Sequence, residues 1–571
     1  MPAISFSSHS LSNRFLLTLV GLLLLCGVLF FWQLDGYTLF NITEAKQAEI
    51  ARQIWVRQDW ITPVYNGDIY FDKPILLHWL IAIGFRLFGL NEWAVRLPSA
   101  VSATGLVLIT WGFVARFANS RIALLAATML AANPFTFALG RTGQHDMLLT
   151  VFMTAALYCW YWAYSTGQRQ GYLWFFACLG LAVLAKGPLA LVLCSLAIAV
   201  FLTAVGRWRE QFATVPWRWG LTLFGAITFP WYLLVLYANG WNFVDQSFVF
   251  NNVDRFVTAN LNQVGPWWYY LPLLLVGFFP WVLPLLQTLV QAPRQGWLRL
   301  RYWRHQAPAQ QIGLFMTIWL LTVLVFMSVA ATKLPWYINP GFPALAYLCA
   351  QAWERQMATP GRWQQLTLKL TGLGYVLMAI AFLVLPRLLP NEPVLQSIQN
   401  TGALWILTLI HVGAAVAVFF SLLRAQAVWA WWGSLVAFSC VALTLVSLVL
   451  PVLDVQVLGG RLLPLAEVLQ QETCEACADS LPSAFGVGDP SLNFYSRLSY
   501  IKRFEEPYEL DMELQRSQRL LLVTKESTLE HFGVNLSCHQ PDYVFDDIKL
   551  FIVSPDSDFS PNTCGLADGD R

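Results

Sequence analysis

The sequence predicts a polytopic α-helical membrane protein of about thirteen transmembrane helices with a small C-terminal α/β domain. Three observations carry this. Of 571 residues, 57% are hydrophobic and only 12% charged, whereas a soluble domain averages about 25% charged. Apolar runs of about 20 residues, the length that crosses a bilayer, recur between residues 15 and 450. Beyond about residue 455 charges become frequent and apolar runs shorten. The net charge of +2 implies no nucleic-acid partner.

The spans read, in order, as roughly 15–33, 97–115, 122–139, 147–165, 172–186, 188–206, 219–238, 270–291, 312–330, 337–353, 367–388, 403–423 and 428–450. The first is Leu-rich, lacks a small-residue cleavage site and reads as an uncleaved anchor rather than a signal peptide. The apolar run 75–90 is ambiguous. Loops rich in Lys and Arg stay cytoplasmic. If 75–90 does not span, Arg116 and Arg121, Arg207 and Arg209, Arg301 and Arg304, Arg355 and Arg362 all fall on one side. If it spans, the cluster 294–304 flips outward. The run therefore reads as a helix lying at the outer interface. Segments 34–96, 140–146, 239–269, 331–336 and 389–402, and everything after about 455, then face outward.

This divides the chain into a transmembrane domain, 1–455, whose first outer loop 34–96 holds interfacial helices, and a soluble outward domain, 456–571. Within the latter, 484–488, 520–525 and 549–554 read as strands, with "LPLAEVLQQ" and "STLEHF" as helices between them. Cys474, Cys477, Cys538 and Cys564 lie here, and the other six cysteines in membrane runs. Four outward cysteines suit disulfides, 474–477 with 538–564 being the favoured pairing and a zinc site the runner-up.

The chemistry-bearing residues sit at the outer ends of spans. "TEAKQAEIARQ" places Glu44, Ala48 and Arg52 on one helical face, the plain reading being an amphipathic helix with an internal ion pair. "GDIYFDKPILLHWL" adds Tyr70, Asp72, Lys73 and His78, with Pro74 suited to a first helical turn. Arg141, His145 and Asp146 cap the start of an apolar span, where Asp146 could serve only as an N-cap. Lys186 interrupts an otherwise unbroken apolar stretch, with a Gly187-Pro188 turn beside it. Arg255 lies in the large outer loop, and Lys333 and Tyr337 at a tight hairpin where an interfacial anchor belt is the simpler reading. Jointly these describe a cavity in which several cations receive a phosphate, one or two carboxylates do acid–base work and apolar walls hold a lipid tail. No P-loop or dinucleotide fingerprint is present.

The same residues carry a family resemblance. "TEAKQAEIARQ", "YFDKPILLHWL", "RTGQHDMLLTVFMT", "AKGP", "FPWY" and "KLPWYINP", in that order, resemble the GT-C glycosyltransferases. The likeness is greatest to the bacterial aminoarabinose transferase of lipid A and its dolichyl-phosphate-mannose protein mannosyltransferase relatives, and covers about residues 10–350. It implies the GT-C fold and transfer of a sugar from an undecaprenyl-phosphate carrier to a lipid, glycan or protein acceptor, with inversion, at the periplasmic face of the bacterial inner membrane. Lys73, Asp146, Lys186, Arg255, Lys333 and Tyr337 match positions that the resemblance ties to the active-site cavity; Lys73, Lys186, Arg255, Lys333 and Tyr337 are expected to bind the donor phosphate, and Tyr70, Asp72 and Arg141 to support them. The family's first-loop motif carries an Asp that is the usual base; Thr43 stands in its place, leaving Glu44 as first choice and Asp146 as second. Lys46 and Gln47 replace the motif's Arg and Tyr, and Asp72-Lys73-Pro74 its Glu-Lys-Pro. Some relatives hold a metal through a histidine of the fourth outer loop, and 239–269 contains none. No cofactor is firmly implied, although a divalent metal near Glu44, Asp72 and His145 stays open. The outward domain is expected to cover the opening and help select the acceptor, or to bind another envelope protein. The rival reading is a transporter or flippase of lipid-linked sugars. Against it stand the lack of repeated halves and the gathering of charge at one face.

Overall fold

The computed structural model describes residues 13–40, 43–245, 265–295, 300–475, 480–485, 487–514, 519–531, 541–545 and 548–553. The chain divides into two compact units. One comprises 1–34, 71–80 and 95–449; the other comprises 35–70, 81–94 and 450–571.

The first unit is helical. All thirteen predicted segments fall on helix, and eight helices among the described residues are long and apolar enough to cross a membrane. They run from Asn13–Phe31 to Ala427–Gln456. Others are short or broken. The segment 122–139, expected as one span, is Ser120–Ala131 followed by Pro134–Gly140 with a 63° bend. Asn133 makes the break. Its side chain accepts the amides of Phe135 (2.9 Å) and Thr136 (3.1 Å), capping the second piece, while its amide donates to the Gly277 carbonyl at 2.6 Å. Pro134 fits the first helical position, where no N–H is needed. The segment 270–291 is likewise divided, into Tyr270–Gly277 and Leu283–Gln295.

Close helix pairing follows from small residues. His145–Thr166 packs along Arg169–Lys186, and a Cβ on Gly171 would lie 2.8 Å from the Cys159 carbonyl oxygen and 2.9 Å from Ala163. Glycine at the crossing lets the backbones approach, as membrane helix interfaces require. The run 75–90 forms Leu76–Phe88, too short to cross as a full span. Pro74 lies outside this helix rather than in its first turn, because the first helical bond runs from Trp79 N to Ile75 O.

The second unit is α/β. Strand β1 (Val64–Tyr65) pairs with β2 (Asp68–Ile69) across Asn66-Gly67. Both turn residues have positive φ, 51° and 87°, the conformation that makes Asn-Gly a hairpin turn. A five-stranded sheet comprises β3 (Ser480–Phe485), β4 (Lys502–Phe504), β5 (Arg519–Lys525), β6 (Tyr543–Phe545) and β7 (Ile548–Val553), in the order β4-β3-β5-β7-β6. Strand β3 runs parallel to β4 and β5, while β7 is antiparallel to β5 and β6. The strands expected at 520–525 and 549–554 are β5 and β7, whereas the one expected at 484–488 shares only Ala484 and Phe485 with β3, which starts earlier; β4 and β6, three residues each, are too short for a sequence pattern. Leu520 to Thr524 are all buried, which suits the near-continuous apolar run of a central strand. Leu462, Leu465 and Leu469 from Gly459–Leu462 and Leu463–Glu475 close the core over Leu521, Val523 and Leu550.

The unit also contains the first loop. Helix Glu44–Arg57 packs on Pro490–Ser496. The Asn66 side chain accepts the Ile501 amide at 2.8 Å, and Arg503 donates to the Tyr65 hydroxyl at 2.8 Å. Tyr495 bridges the Leu39 amide and Glu92, each at 2.8 Å. The favoured disulfides fall on residues whose side chains lie outside those described; the six cysteines in membrane runs are free thiols.

Candidate functional site

A hairpin of two membrane helices supplies the centre of the site. Helix Arg169–Lys186 ends at Lys186 because Gly187 follows with φ +81°, a conformation glycine adopts without strain, and Pro188 then starts Leu189–Val205. A lysine ammonium thus sits at a helix C-terminus. Helix His145–Thr166 begins beside it, with Asp146 in its first turn. Each charge complements the dipole of its own helix. Gln144 occupies the N-cap position, so Asp146 is not the cap; its carboxylate instead accepts a hydrogen bond from Lys186 Nζ. Both residues are 7% exposed. Lys186 Nζ also lies 4.6 Å from the ring centroid of Tyr337, a cation–π distance. Tyr337 is carried by the tight turn Pro335–Gly341. Tyr270 lies within electrostatic reach of Tyr337 and Asp146.

A second group comes from the segment before Leu76–Phe88. Lys73 Nζ is 3.0 Å from Asp72 Oδ1 and 3.1 Å from the Asp72 carbonyl oxygen, both side chains being half-buried. His78, buried, packs against His145 with ring centroids 5.2 Å apart. Burial pushes the His78 imidazole down to about 3, only partly offset by Asp72. Asp72, Lys73, His78 and Lys186 all lie within electrostatic reach of His145. His145 Nε2 is buried and has no hydrogen-bond partner among the described residues. The first unit therefore gathers Lys73 and Lys186 with Asp72, Asp146, Tyr337 and two histidines.

The remaining expected residues are distributed differently. Lys333 is 8% exposed and donates to the Ala330 carbonyl at 2.7 Å, so it ties down the end of Ile312–Val329 rather than anchoring at an interface. Arg141, 2% exposed, donates to the carbonyls of Leu29 (3.1 Å) and Gln33 (3.0 Å) at the end of the first span. Arg255 lies outside the described residues. Glu44 and Tyr70 belong to the second unit. Glu44 is fully buried, and its carboxylate accepts the Phe40 amide at 3.1 Å. Lys46 lies 5.2 Å above the Tyr70 ring and 5.3 Å above that of Tyr65. The expected pairing along the Glu44–Ala48–Arg52 face is corrected: Arg52 forms a bidentate bond with Glu49, at 2.7 and 2.8 Å, three residues away. Gln53 adds a third donor to Glu49 at 2.6 Å. Burial pushes the Glu49 carboxyl up, and the Arg52 guanidinium opposes this. Among the described residues no three His, Cys, Asp or Glu side chains are grouped to hold a metal ion. The His78–His145 contact and Tyr270 were not singled out by sequence. The histidines are 67 positions apart, and Tyr270 is one aromatic among several in "WWYYLPLLL".

Helices bundled around buried, oppositely charged side chains define a class of integral-membrane protein with a polar site let into its bundle. The fold matches ArnT from Cupriavidus metallidurans, in a structure bound to undecaprenyl phosphate, with a TM-score of 0.75 over 96% of this chain and 99% of that one, at 21% identity. An oligosaccharyltransferase from Archaeoglobus fulgidus matches with a TM-score of 0.50 at 12% identity, over 90% of this chain and 69% of that one. The family model for dolichyl-phosphate-mannose-protein mannosyltransferases matches residues 72–233. The undecaprenyl phosphate-alpha-4-amino-4-deoxy-L-arabinose arabinosyl transferase of Edwardsiella ictaluri is 31% identical over 61% of this chain and 60% of its own length. That of Pseudomonas aeruginosa PAO1 is 31% identical over 66% of each. The chain thus spans about three fifths to two thirds of the curated relatives it matches. Over these stretches the chain is similar to the aminoarabinose transferases and to the dolichyl-phosphate-mannose-protein mannosyltransferase family, and it shares the fold of ArnT.

Proposed function

We propose that this protein is a glycosyltransferase that moves a sugar from an undecaprenyl-phosphate carrier to a lipid, glycan or protein acceptor. The relatives' own donor, which carries 4-amino-4-deoxy-L-arabinose, makes that sugar the first to test. The proposed setting is the bacterial inner membrane, with thirteen spans and the 456–571 domain and the site on the periplasmic side. The observation that carries the reading is the buried Lys186–Asp146 pair beneath Tyr337, with Lys73 in the same electrostatic field.

In the proposed reaction the donor phosphate enters between Lys73 and Lys186, with Arg255 assisting. Lys186 turns from Asp146 toward the phosphate oxygens. The acceptor oxygen attacks the anomeric carbon as the bond from that carbon to the phosphate oxygen breaks, leaving undecaprenyl phosphate. Growing negative charge on the phosphate is met by ammonium groups already desolvated, each such contact being worth about 3 kcal/mol in comparable anion sites. A hydroxyl acceptor gives its proton to a carboxylate, Glu44 first and Asp146 second; an ionised phosphate acceptor needs no base. With Thr43 in place of the motif's Asp, the phosphate acceptor fits this chain well. The test is incubation of the purified protein in detergent with undecaprenyl-phosphate-sugar and a lipid A acceptor. Release of undecaprenyl phosphate with sugar on the acceptor is expected. A donor left chemically intact would favour the flippase reading instead.

A further inference from the structure

A second polar cavity, of about 460 Å³, lies where three helices of the first unit meet. Gln287 and Thr288 of Leu283–Gln295 form one wall, Glu354, Arg355 and Gln356 of Phe342–Ala358 another. The first turn of Arg362–Leu388 supplies Arg362, Trp363 and Gln364. That turn has no side-chain cap, so its amides are a source of positive partial charge.

The interior is polar and under-satisfied. Gln356 is 6% exposed and donates to Gln287 Oε1 and to Thr367 Oγ1 (3.1 Å), but its own Oε1 has no hydrogen-bond partner among the described residues. Gln364 is 3% exposed, and its Nε2 also lacks one. A buried amide donor left unbonded is costly, so the site gains by receiving an acceptor. Arg355 and Arg362 are exposed at its rim, with the single carboxylate of Glu354 between cations. Trp363 is 42% exposed, a residue type that settles at bilayer headgroup level.

We propose that this cavity binds the headgroup phosphate of an anionic glycerophospholipid. The phosphate accepts from Gln364 Nε2 and the open helix end while Arg355 and Arg362 flank it, and Trp363 lies along the glycerol. The topology proposed above puts this pocket on the cytoplasmic side, where basic pockets between membrane helices favour such a lipid. The site is separate from the Lys186–Asp146 pair, and the proposal does not depend on glycosyl transfer.

The test is native mass spectrometry of the full chain in detergent, titrated with phosphatidylglycerol, phosphatidylcholine or inorganic phosphate. One saturable phosphatidylglycerol adduct is expected, with little phosphatidylcholine retained and no competition by millimolar phosphate. Arg355→Ala/Arg362→Ala should weaken it about tenfold, since each surface arginine adds a modest increment. Both residues are exposed, so the fold should hold, as a melting curve in phosphatidylcholine would verify. Gln364→Glu should abolish the adduct, and Glu354→Gln should strengthen it. Equal retention of phosphatidylcholine, equal protection by inorganic phosphate, or an unchanged affinity in the double arginine variant would overturn the proposal.

Discussion

Replacing Lys186 with Met separates what this residue does for the fold from what it does for the reaction. Lys186 and Asp146 are each 7% exposed and bonded to one another. Methionine keeps the length of the stem but leaves the Asp146 carboxylate buried without its cation. Breaking one side of a buried pair costs about 3–5 kcal/mol. The compensated variant Asp146→Asn/Lys186→Met removes both charges and should recover most of that loss, because no buried charge is then left unpaired. Turnover should behave otherwise. If the ammonium receives the leaving phosphate, both variants should lose about 10²–10³ in kcat, as removal of a single anion-stabilising donor does. The assay is paired: melting in detergent for stability, and release of undecaprenyl phosphate from donor for rate. A compensated variant that regained both stability and turnover would refute the phosphate role and leave Lys186 a structural partner of Asp146. So would a Lys186→Met enzyme within twofold of the parent rate.

Three further outcomes follow from the geometry. Glu44→Gln should slow transfer to a hydroxyl acceptor about 10²–10⁴-fold if Glu44 is the base, and barely change transfer to a phosphate acceptor; equal effects on both would remove it from that role. His78 titrates near 6.5 when unfolded and about 3 when folded, so the unfolded state binds the proton first as pH falls. Stability is fully present above 6.5 and drops by about 2 kcal/mol between pH 7 and pH 5; melting of His78→Gln should be flatter by that amount, and an identical slope would refute the buried neutral imidazole. Arg52→Met should cost about 3 kcal/mol by leaving Glu49 buried and unpaired. Burial raises the Glu49 carboxyl above its ordinary 4.5, so this loss should grow as pH rises from that value, and denaturant melts at pH 5 and pH 8 would check it.

The parts of the site that sequence made legible are those where polarity violates its surroundings. Lys186 stands out because nothing else in its stretch is charged, and Gly187-Pro188 marks the end of its helix. The two lysine-bearing segments, 113 positions apart, could be grouped because each touches the end of an apolar run and the expected topology puts both ends on one side. Pairing is less legible. In Glu44–Arg57 the face through Glu44, Ala48 and Arg52 puts its acid two turns from Arg52, beyond reach, and the guanidinium bonds Glu49 three residues away instead. Arg141 looks like a phosphate ligand in a list of residues. Only coordinates reveal that two carbonyls at a helix end already engage it. Bends escape for the opposite reason: hydropathy is blind to Asn133 redirecting the chain by 63°.

The union of the first loop with the C-terminal sheet has a cost in time. Arg503 reaches Tyr65 across 438 positions of chain. At ribosomal speeds of about 5–20 residues per second, roughly 20–90 seconds separate the synthesis of the two. Throughout that interval helix Glu44–Arg57 lacks Pro490–Ser496, the helix it packs on in the finished fold. A premature stop codon late in the gene would therefore orphan a segment translated near its beginning.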